Sequence, residues 1–326
     1  MSLAGVQHSL LEKKKQKKGK FTFIDLFAGI GGTRIAFERA GGECVFSSEW
    51  DKYCQKTYEA NFGEIPAGDI TKIQASEIPN FDILVGGFPC QAFSMAGKRG
   101  GFNDTRGTLF FDVARIIKAK RPKAFLLENV QGLVTHDGGK TLQVILDTLN
   151  DLDYNVFYKV LNASDFGVPQ RRKRIYIVGF DKKKTPKDLK FEHPKGTRKN
   201  VYIGKFIEEN VEGYGISEYL QKVYMFKKDD GLPEIVNKDS KKHVKTLTST
   251  YHKIQRLTGT FVKDGKTGLR LLTVNECKAM MGFDNDFKIP VSRTQMYRQL
   301  GNSVAIPAVE AVAKQLVKTL EDLKIV

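Results

Sequence analysis

The sequence predicts an α/β protein: a doubly wound, mostly parallel sheet with a second, smaller irregular domain. Three observations predict it. Strand-like and helix-like segments alternate from residue 21 to about 180. Residues 181–268 are Lys-rich, carry turn signals and show little helical periodicity. Helical spacing then returns near Leu272 and ends in an amphipathic segment over residues 307–323. Alternating strands and helices imply βαβ units around a parallel sheet. The expected organisation is a flexible basic tail over 1–20, a first domain over 21–180, a second over 181–268, and a segment over 269–326 that returns to the first.

The elements follow in order. Residues 21–27 form an apolar run expected as a buried strand, and a glycine-rich turn leads into a helix containing Ile35, Ala36 and Phe37. Strands are expected over 43–48, 82–87, 124–128, 156–161 and 174–180. Helices are expected over 52–61, 108–120 and 141–150, and near the C-terminus over 276–281, 297–300 and 307–323. The chain of 326 residues can bury a sizeable core without a disulfide or metal staple. Lys+Arg 53 against Asp+Glu 37 gives a net charge of +16, which points to an anionic partner, nucleic acid first. Cys44, Cys54, Cys90 and Cys277 are scattered with no CxxC pair, which argues against a disulfide framework or a zinc site and fits a reducing compartment. No apolar run is long enough for a membrane span, and the N-terminus lacks the apolar stretch of a signal peptide. Lysines crowd the first 20 residues, as a solvated tail or as an arm that touches DNA.

The turn Phe27-Ala28-Gly29-Ile30-Gly31-Gly32 sits between a strand and a helix. Glycines there permit a tight turn and a close ligand approach, and the helix start offers free N–H groups. Glu49, just after the second strand, is placed to accept from a ribose diol, and Asp69 from an adenine amino group. Such turns serve NAD, FAD and S-adenosylmethionine alike, or simply connect two elements. The spacing departs from GxGxxG, which disfavours NAD.

A second constellation is more informative. One strand ends in Pro89-Cys90-Gln91 and another in Glu128-Asn129-Val130, with a single helix between them. A strand–helix–strand crossover makes neighbouring parallel strands, so both ends open on the sheet edge where such folds bind ligands. Cys90 and Glu128 should therefore face one crevice. A carboxyl group closing an apolar strand is expensive to bury without a task. A thiolate nucleophile beside a carboxylic acid suggests covalent catalysis assisted by proton donation.

The ordered motifs are Asp25-Leu26-Phe27-Ala28-Gly29-Ile30-Gly31-Gly32, Glu49-Trp50-Asp51, Gly68-Asp69-Ile70, Gly87-Phe88-Pro89-Cys90-Gln91-Ala92-Phe93-Ser94, Leu127-Glu128-Asn129-Val130, Gln170-Arg171-Arg172-Lys173-Arg174-Ile175-Tyr176 and Gly301-Asn302-Ser303-Val304. This set resembles the DNA (cytosine-5) methyltransferases, in particular bacterial type II modification methylases of the HhaI and HpaII kind. The resemblance covers residues 21–180 and 269 to the C-terminus. It implies a Rossmann-like methyltransferase fold whose 21–180 domain binds S-adenosylmethionine and whose 181–268 domain recognises the target. The implied reaction moves a methyl group to C5 of a cytosine flipped out of duplex DNA, through a covalent adduct of Cys90 with C6, leaving S-adenosylhomocysteine. Glu128 then contacts N3 and the exocyclic amine, Arg174 the cytosine O2, and Arg172 supports the site. Phe27, Gly29, Ile30, Gly31, Glu49, Trp50, Asp69, Ile70, Pro89, Leu109, Asn302 and Ser303 match cofactor contacts.

The resemblance further implies a monomer in the bacterial cytoplasm, without metal or membrane, serving a restriction–modification system whose cognate nuclease is encoded nearby. Other readings are a non-catalytic DNA-binding relative and a tRNA cytosine-5 methyltransferase. Contacts to DNA are expected from the glycine-rich basic loop after Cys90, namely Gln91, Ser94, Lys98, Arg99 and Arg106. In the second domain Thr246, Thr248, Tyr251, Lys253 and Arg256 mix hydroxyls, an aromatic ring and cations able to meet phosphates and base edges. The pair Thr246-Leu247 resembles one found in target-recognition domains. Asn275, Ala279 and Asp284 depart from the family pattern, where two arginines and a proline are usual.

Overall fold

The computed structural model describes residues 19–89, 109–197 and 200–326. Its centre is a six-stranded sheet in the order β2-β1-β3-β4-β6-β5. The strands are β1 (Phe21–Leu26), β2 (Gly42–Ser48), β3 (Ile83–Gly86), β4 (Ala124–Val130), β5 (Tyr154–Asn162) and β6 (Lys173–Asp181). β2, β1, β3 and β4 are parallel, while β6 runs antiparallel to both β4 and β5.

Side-chain alternation divides the core in two. Phe21 and Phe23 of β1, Ala124 and Leu126 of β4, and Tyr176, Val178 and Phe180 of β6 join one buried cluster. Ile24 and Leu26, Phe125 and Leu127, and Ile175 and Ile177 join another. Strands buried on both faces are what βαβ crossovers produce, because helices cover each side. The first face is covered by α1 (Gly32–Arg39) and α8 (Ile306–Asp322), the second by α3 (Leu109–Lys120) and α4 (Lys140–Asp151). α2 (Lys52–Phe62) starts where the Asp51 carboxylate accepts from the N–H groups of Tyr53 and Cys54, and it ends at Gly63 in the left-handed region.

After β6 the chain becomes irregular. It holds a single-turn α5 (Glu218–Leu220) and a two-stranded sheet of β7 (Glu234–Val236) and β8 (Thr260–Val262). Then come α6 (Val274–Met281), begun by a Thr273–Glu276 capping box, and α7 (Arg293–Asn302), capped by Ser292. Among the described residues no helix is long and apolar enough to cross a membrane. Two of the three departures have partners: Asp284 pairs with Arg39 of α1 at 2.7 Å, and Asn275 donates to Glu208 at 2.9 Å. Nothing in the structure explains Ala279.

Candidate active site

Two adjoining cavities open at the C-terminal ends of β1, β2, β3 and β4. The larger is about 400 Å³ and the smaller about 200 Å³, and they share Phe27, Glu49, Trp50 and Leu109. Their floor is made by backbone stitching. Ala28 N–H donates to Ser48 O, Glu49 N–H to Ala67 O and Ala67 N–H to Ser47 O, which ties the end of β2 to the loops after β1 and α2. Phe27 takes φ 59°, an unfavourable conformation for a side chain with a Cβ, and this strain lies at the cavity itself.

Glu49 is fixed before any ligand arrives. One carboxyl oxygen accepts from Gly29 N–H at 2.8 Å and the other from Asp51 N–H at 2.8 Å. Burial raises its pKa, and these backbone donors oppose the rise. Asp69 accepts from the N–H and hydroxyl of Thr71, which leaves its second oxygen at the edge of the smaller cavity with Lys72 Nζ 3.9 Å away. Trp50 is 75% exposed, a large ring held over the cavity mouth rather than in the core.

The fit to an adenosyl group rests on space as much as on donors. A Cβ at Gly29 or Gly68, both in cavity walls, would meet no atom within 4 Å, so each glycine leaves the cavity open. Apolar walls from Phe27, Trp50, Ile70 and Leu109 with one carboxylate at the rim suit a flat base bearing an amino group. The structure brings eleven of the twelve expected cofactor residues to these cavities: Phe27, Gly29, Ile30, Glu49, Trp50, Pro89, Leu109, Asn302 and Ser303 line the larger, and Asp69 and Ile70 the smaller. Gly31 is the exception. It takes φ 88°, and a Cβ there would collide with the ring of Phe62, so it serves the turn and its packing on α2.

Glu128, Arg172 and Arg174 close the other end of the larger cavity. Glu128 faces Tyr176 across the β4–β6 ladder, and Arg174 lies one pair further along on the same face. Arg174 Nε sits 3.2 Å from Glu128 Oε1, with both side chains 15% exposed. Burial raises the Glu128 pKa, opposed by the charges of Arg174 and Arg172. Burial first, then Arg174, pushes Arg172 down to about 9, still a cation at neutral pH. Arg172 donates to Leu247 O, Gly301 O and Ser303 O at 3.1, 3.1 and 2.6 Å. Its buried Nε has no partner among the described residues.

Cys90, Gln91, Ser94, Lys98, Arg99 and Arg106 lie outside the described residues. The chain leading to Cys90 is described: Pro89 shares the larger cavity with Glu128, and a Cβ at Gly87 would lie 3.6 Å from Glu128 Oε2. Sequence reasoning missed the residue that anchors this lead. Asn129, 3% exposed, donates to Phe88 O at 2.9 Å and accepts from Val130 N–H at 2.8 Å. It also missed Gln299, which ties α7 to α2 by donating to Tyr53 O and accepting from the Thr57 hydroxyl. Asn129 was visible as the polar neighbour of Glu128 in an apolar strand, whereas Gln299 carries no local signal.

Two expected DNA contacts turn inward. Tyr251 is 3% exposed; its hydroxyl donates to Thr260 O and accepts from Leu272 N–H. Arg256 is 3% exposed and spends its guanidinium on Met225 O, Lys228 O, Leu232 O and the Asp230 carboxylate. Satisfied groups this deep brace the loop and are not available to phosphates. Lys253 is exposed. Thr246 and Thr248 are half-buried, with the Thr246 hydroxyl on Arg171 O and that of Thr248 shared with Thr250.

Comparison with known proteins identifies the family. The family profile described as C-5 cytosine-specific DNA methylase matches residues 21–318. Type II methyltransferase M.BsuFI of Bacillus subtilis is 60% identical over 302 residues, covering 92% of this chain and 73% of its own. Type II methyltransferase M.MspI of Moraxella sp is 56% identical over 315 residues, covering 96% and 74%. M.HpaII of Haemophilus parainfluenzae is 45% identical, covering 97% and 95%. The solved S. pombe Dnmt2 methyltransferase superposes with TM-score 0.75 at 22% identity over 92% of this chain and 99% of its own, a likeness of fold. With the family profile matching residues 21–318 and relatives at 56–60% identity over most of its length, the chain belongs to the C-5 cytosine-specific DNA methylases.

Proposed function

We propose that this chain methylates C5 of a specific cytosine in duplex DNA, with S-adenosylmethionine as donor, as the modification enzyme of a type II restriction–modification system. The observation that carries this reading is the single cavity in which Glu128 and Arg174 face the walls around Glu49 and Phe27. In this reading Phe27, Trp50, Ile70 and Leu109 enclose the adenine, Asp69 accepts from its amino group and Glu49 from the ribose. Asn302, Ser303 and the turn at Gly29 hold the methionine end. When bound, the donor supplies an electrophilic sulfonium methyl.

The protein's own groups prepare the cytosine. The Cys90 thiolate adds to C6 while Glu128, whose pKa its burial raises against the pull of Arg174 and Arg172, hydrogen-bonds N3 and offsets the charge developing in the ring. Arg174, fixed by Glu128, donates to the cytosine O2. The activated C5 accepts the methyl group; loss of the C5 proton then expels Cys90 and restores the aromatic ring. The base must leave the helix first, at a cost of roughly a few kcal/mol. Lys253 and the hydroxyls of Thr246 and Thr248 are proposed contacts to DNA, as is the loop after Cys90; Tyr251 and Arg256 are not.

We further read residues 21–180 and 269–326 as the catalytic domain, 181–268 as target recognition, and 1–20 as a basic tail. A cytoplasmic monomer that needs no metal fits the reading. Bisulfite sequencing of plasmid from cells expressing the chain tests it: one short motif should carry a protected cytosine, and Cys90→Ser should abolish protection. Plasmid without protected cytosines, or unchanged protection by the serine variant, would overturn it.

A further inference from the structure

The segment after Gln170 does more than deliver arginines to the cavity. Residues 169–172 lie alongside residues 244–247, zipped by four bonds. Val244 N–H donates to Pro169 O, Arg171 N–H to Val244 O, the Thr246 hydroxyl to Arg171 O, and Leu247 N–H to Gln170 Oε1. Arg172 then reaches both ways from its buried position: one amino group holds Leu247 O, and the other holds Gly301 O and Ser303 O. One guanidinium thus joins the stretch read as touching DNA to the loop that lines the donor cavity.

Gly301 makes the same junction by contact. It sits in the last turn of α7, where α-helical backbone would accept alanine, so its missing side chain has no conformational cause. The cause is proximity. A Cβ there would fall inside the contact radii of Ser249 N and of the Thr248 carbonyl. Backbone rests on backbone with no flexible side chain between them. The next residues, Asn302 and Ser303, line the larger cavity.

We propose that the Arg172–Gly301 junction couples DNA recognition to methyl-donor binding, so that a duplex seated on residues 246–249 and a nucleoside in the larger cavity raise each other's affinity. The inference rests on the methyltransferase reading above. A shift of the recognition stretch cannot leave Gly301 and Ser303 in place without breaking bonds to a buried cation, and such bonds are among the strong ones. Linkage requires the effect to be equal in both directions.

The test uses the full chain, S-adenosylhomocysteine, and a short duplex carrying the motif found by bisulfite sequencing. Calorimetry gives the dissociation constant of each with and without the other. The wild type should bind S-adenosylhomocysteine about tenfold more tightly with duplex, within the usual range of such couplings, and the duplex should gain by the same factor. Gly301→Ala should bring this ratio to within about twofold of unity, although alanine is the better helix former. Arg172→Lys keeps the charge but cannot span Leu247 and Ser303 with one ammonium, so its ratio should fall as well. A cooperative urea unfolding transition reports that each variant is folded, and Arg172→Lys decides the matter if the alanine variant is not. A wild-type ratio near one, or full coupling in the folded variants, overturns the proposal. A wild type that binds no S-adenosylhomocysteine at all would instead sink the methyltransferase reading.

Discussion

Replacing Asn129 by alanine tests whether the sheet edge positions Cys90, the proposed nucleophile. The Asn129 amide joins the last residues of β4 to Phe88, two residues before Cys90, with bonds of 2.9 and 2.8 Å at 3% exposure. Phe88 is itself buried, its ring 5.6 Å from that of Phe110. Alanine leaves Phe88 O without its donor, a loss of about 1–3 kcal/mol for a buried acceptor. The Val130 N–H sits in a residue 42% exposed and can turn to water, so its loss adds little. The larger effect falls on rate. A reacting atom displaced by about 1 Å loses roughly a hundredfold in turnover. Single-turnover methyl transfer should therefore drop far more than the donor's affinity, while urea unfolding shows a loss of about 1–3 kcal/mol. Asn129→Asp keeps the shape but turns the donor into a carboxylate against a carbonyl, and should be at least as slow. If the alanine variant loses the expected stability yet transfers methyl within twofold of the wild type, Asn129 does not position Cys90 and the reasoning fails.

Two further predictions concern stability. Asp25 is fully buried and neither carboxyl oxygen has a hydrogen-bond partner among the described residues; burial pushes its pKa up to about 8. The unfolded side chain ionises near 3.9, so between about pH 4 and 8 the folded state holds the extra proton and stability falls as pH rises. Asp25→Asn should remove that dependence, with a difference from the wild type that grows by several kcal/mol from pH 5 to pH 8 in urea unfolding; a pH-independent difference refutes it. Arg270 is fully buried between Glu276, met by both terminal nitrogens, and Asp264 at 2.8 Å. Arg270→Ala strands the Glu276 charge and should lose about 3–5 kcal/mol, whereas Arg270→Met with Glu276→Leu should recover most of it; equal losses in the two would contradict this.

The sheet and its helices were legible because strands buried on both faces write long apolar runs, and because one helix between two such runs fixes their adjacency. Cys90 and Glu128 were expected at one edge on the same grounds; Arg174, at the start of its strand, reaches that edge only because β6 pairs antiparallel with β4, which sets it on one face with Glu128. What escaped the sequence depends on pairing rather than pattern. The run over 173–181 reads the same whether it enters the sheet parallel or, as it does, antiparallel. Gly31 carries the same glycine signal as Gly29, yet one packs on Phe62 and the other leaves a cavity open. Asp284 looked like a lost proline until Arg39 stood beside it.

The arginines show where charge counting misleads. A net charge of +16 suggested a surface rich in cations for phosphates. Yet Arg34, Arg172, Arg256 and Arg270 are all buried. Arg34 is held by Glu38, Glu64 and the Tyr58 hydroxyl over the ring of Phe62. Arg256 is spent on Asp230 and three carbonyls, Arg270 on two carboxylates, and Arg172 on carbonyls of two distant segments. A planar fork of donors suits a site where several acceptors converge, which is why these positions hold arginine and not lysine. In the reading proposed above, cations for DNA come from elsewhere, exposed Lys253 among them. These four arginines instead hold segments of the chain to one another.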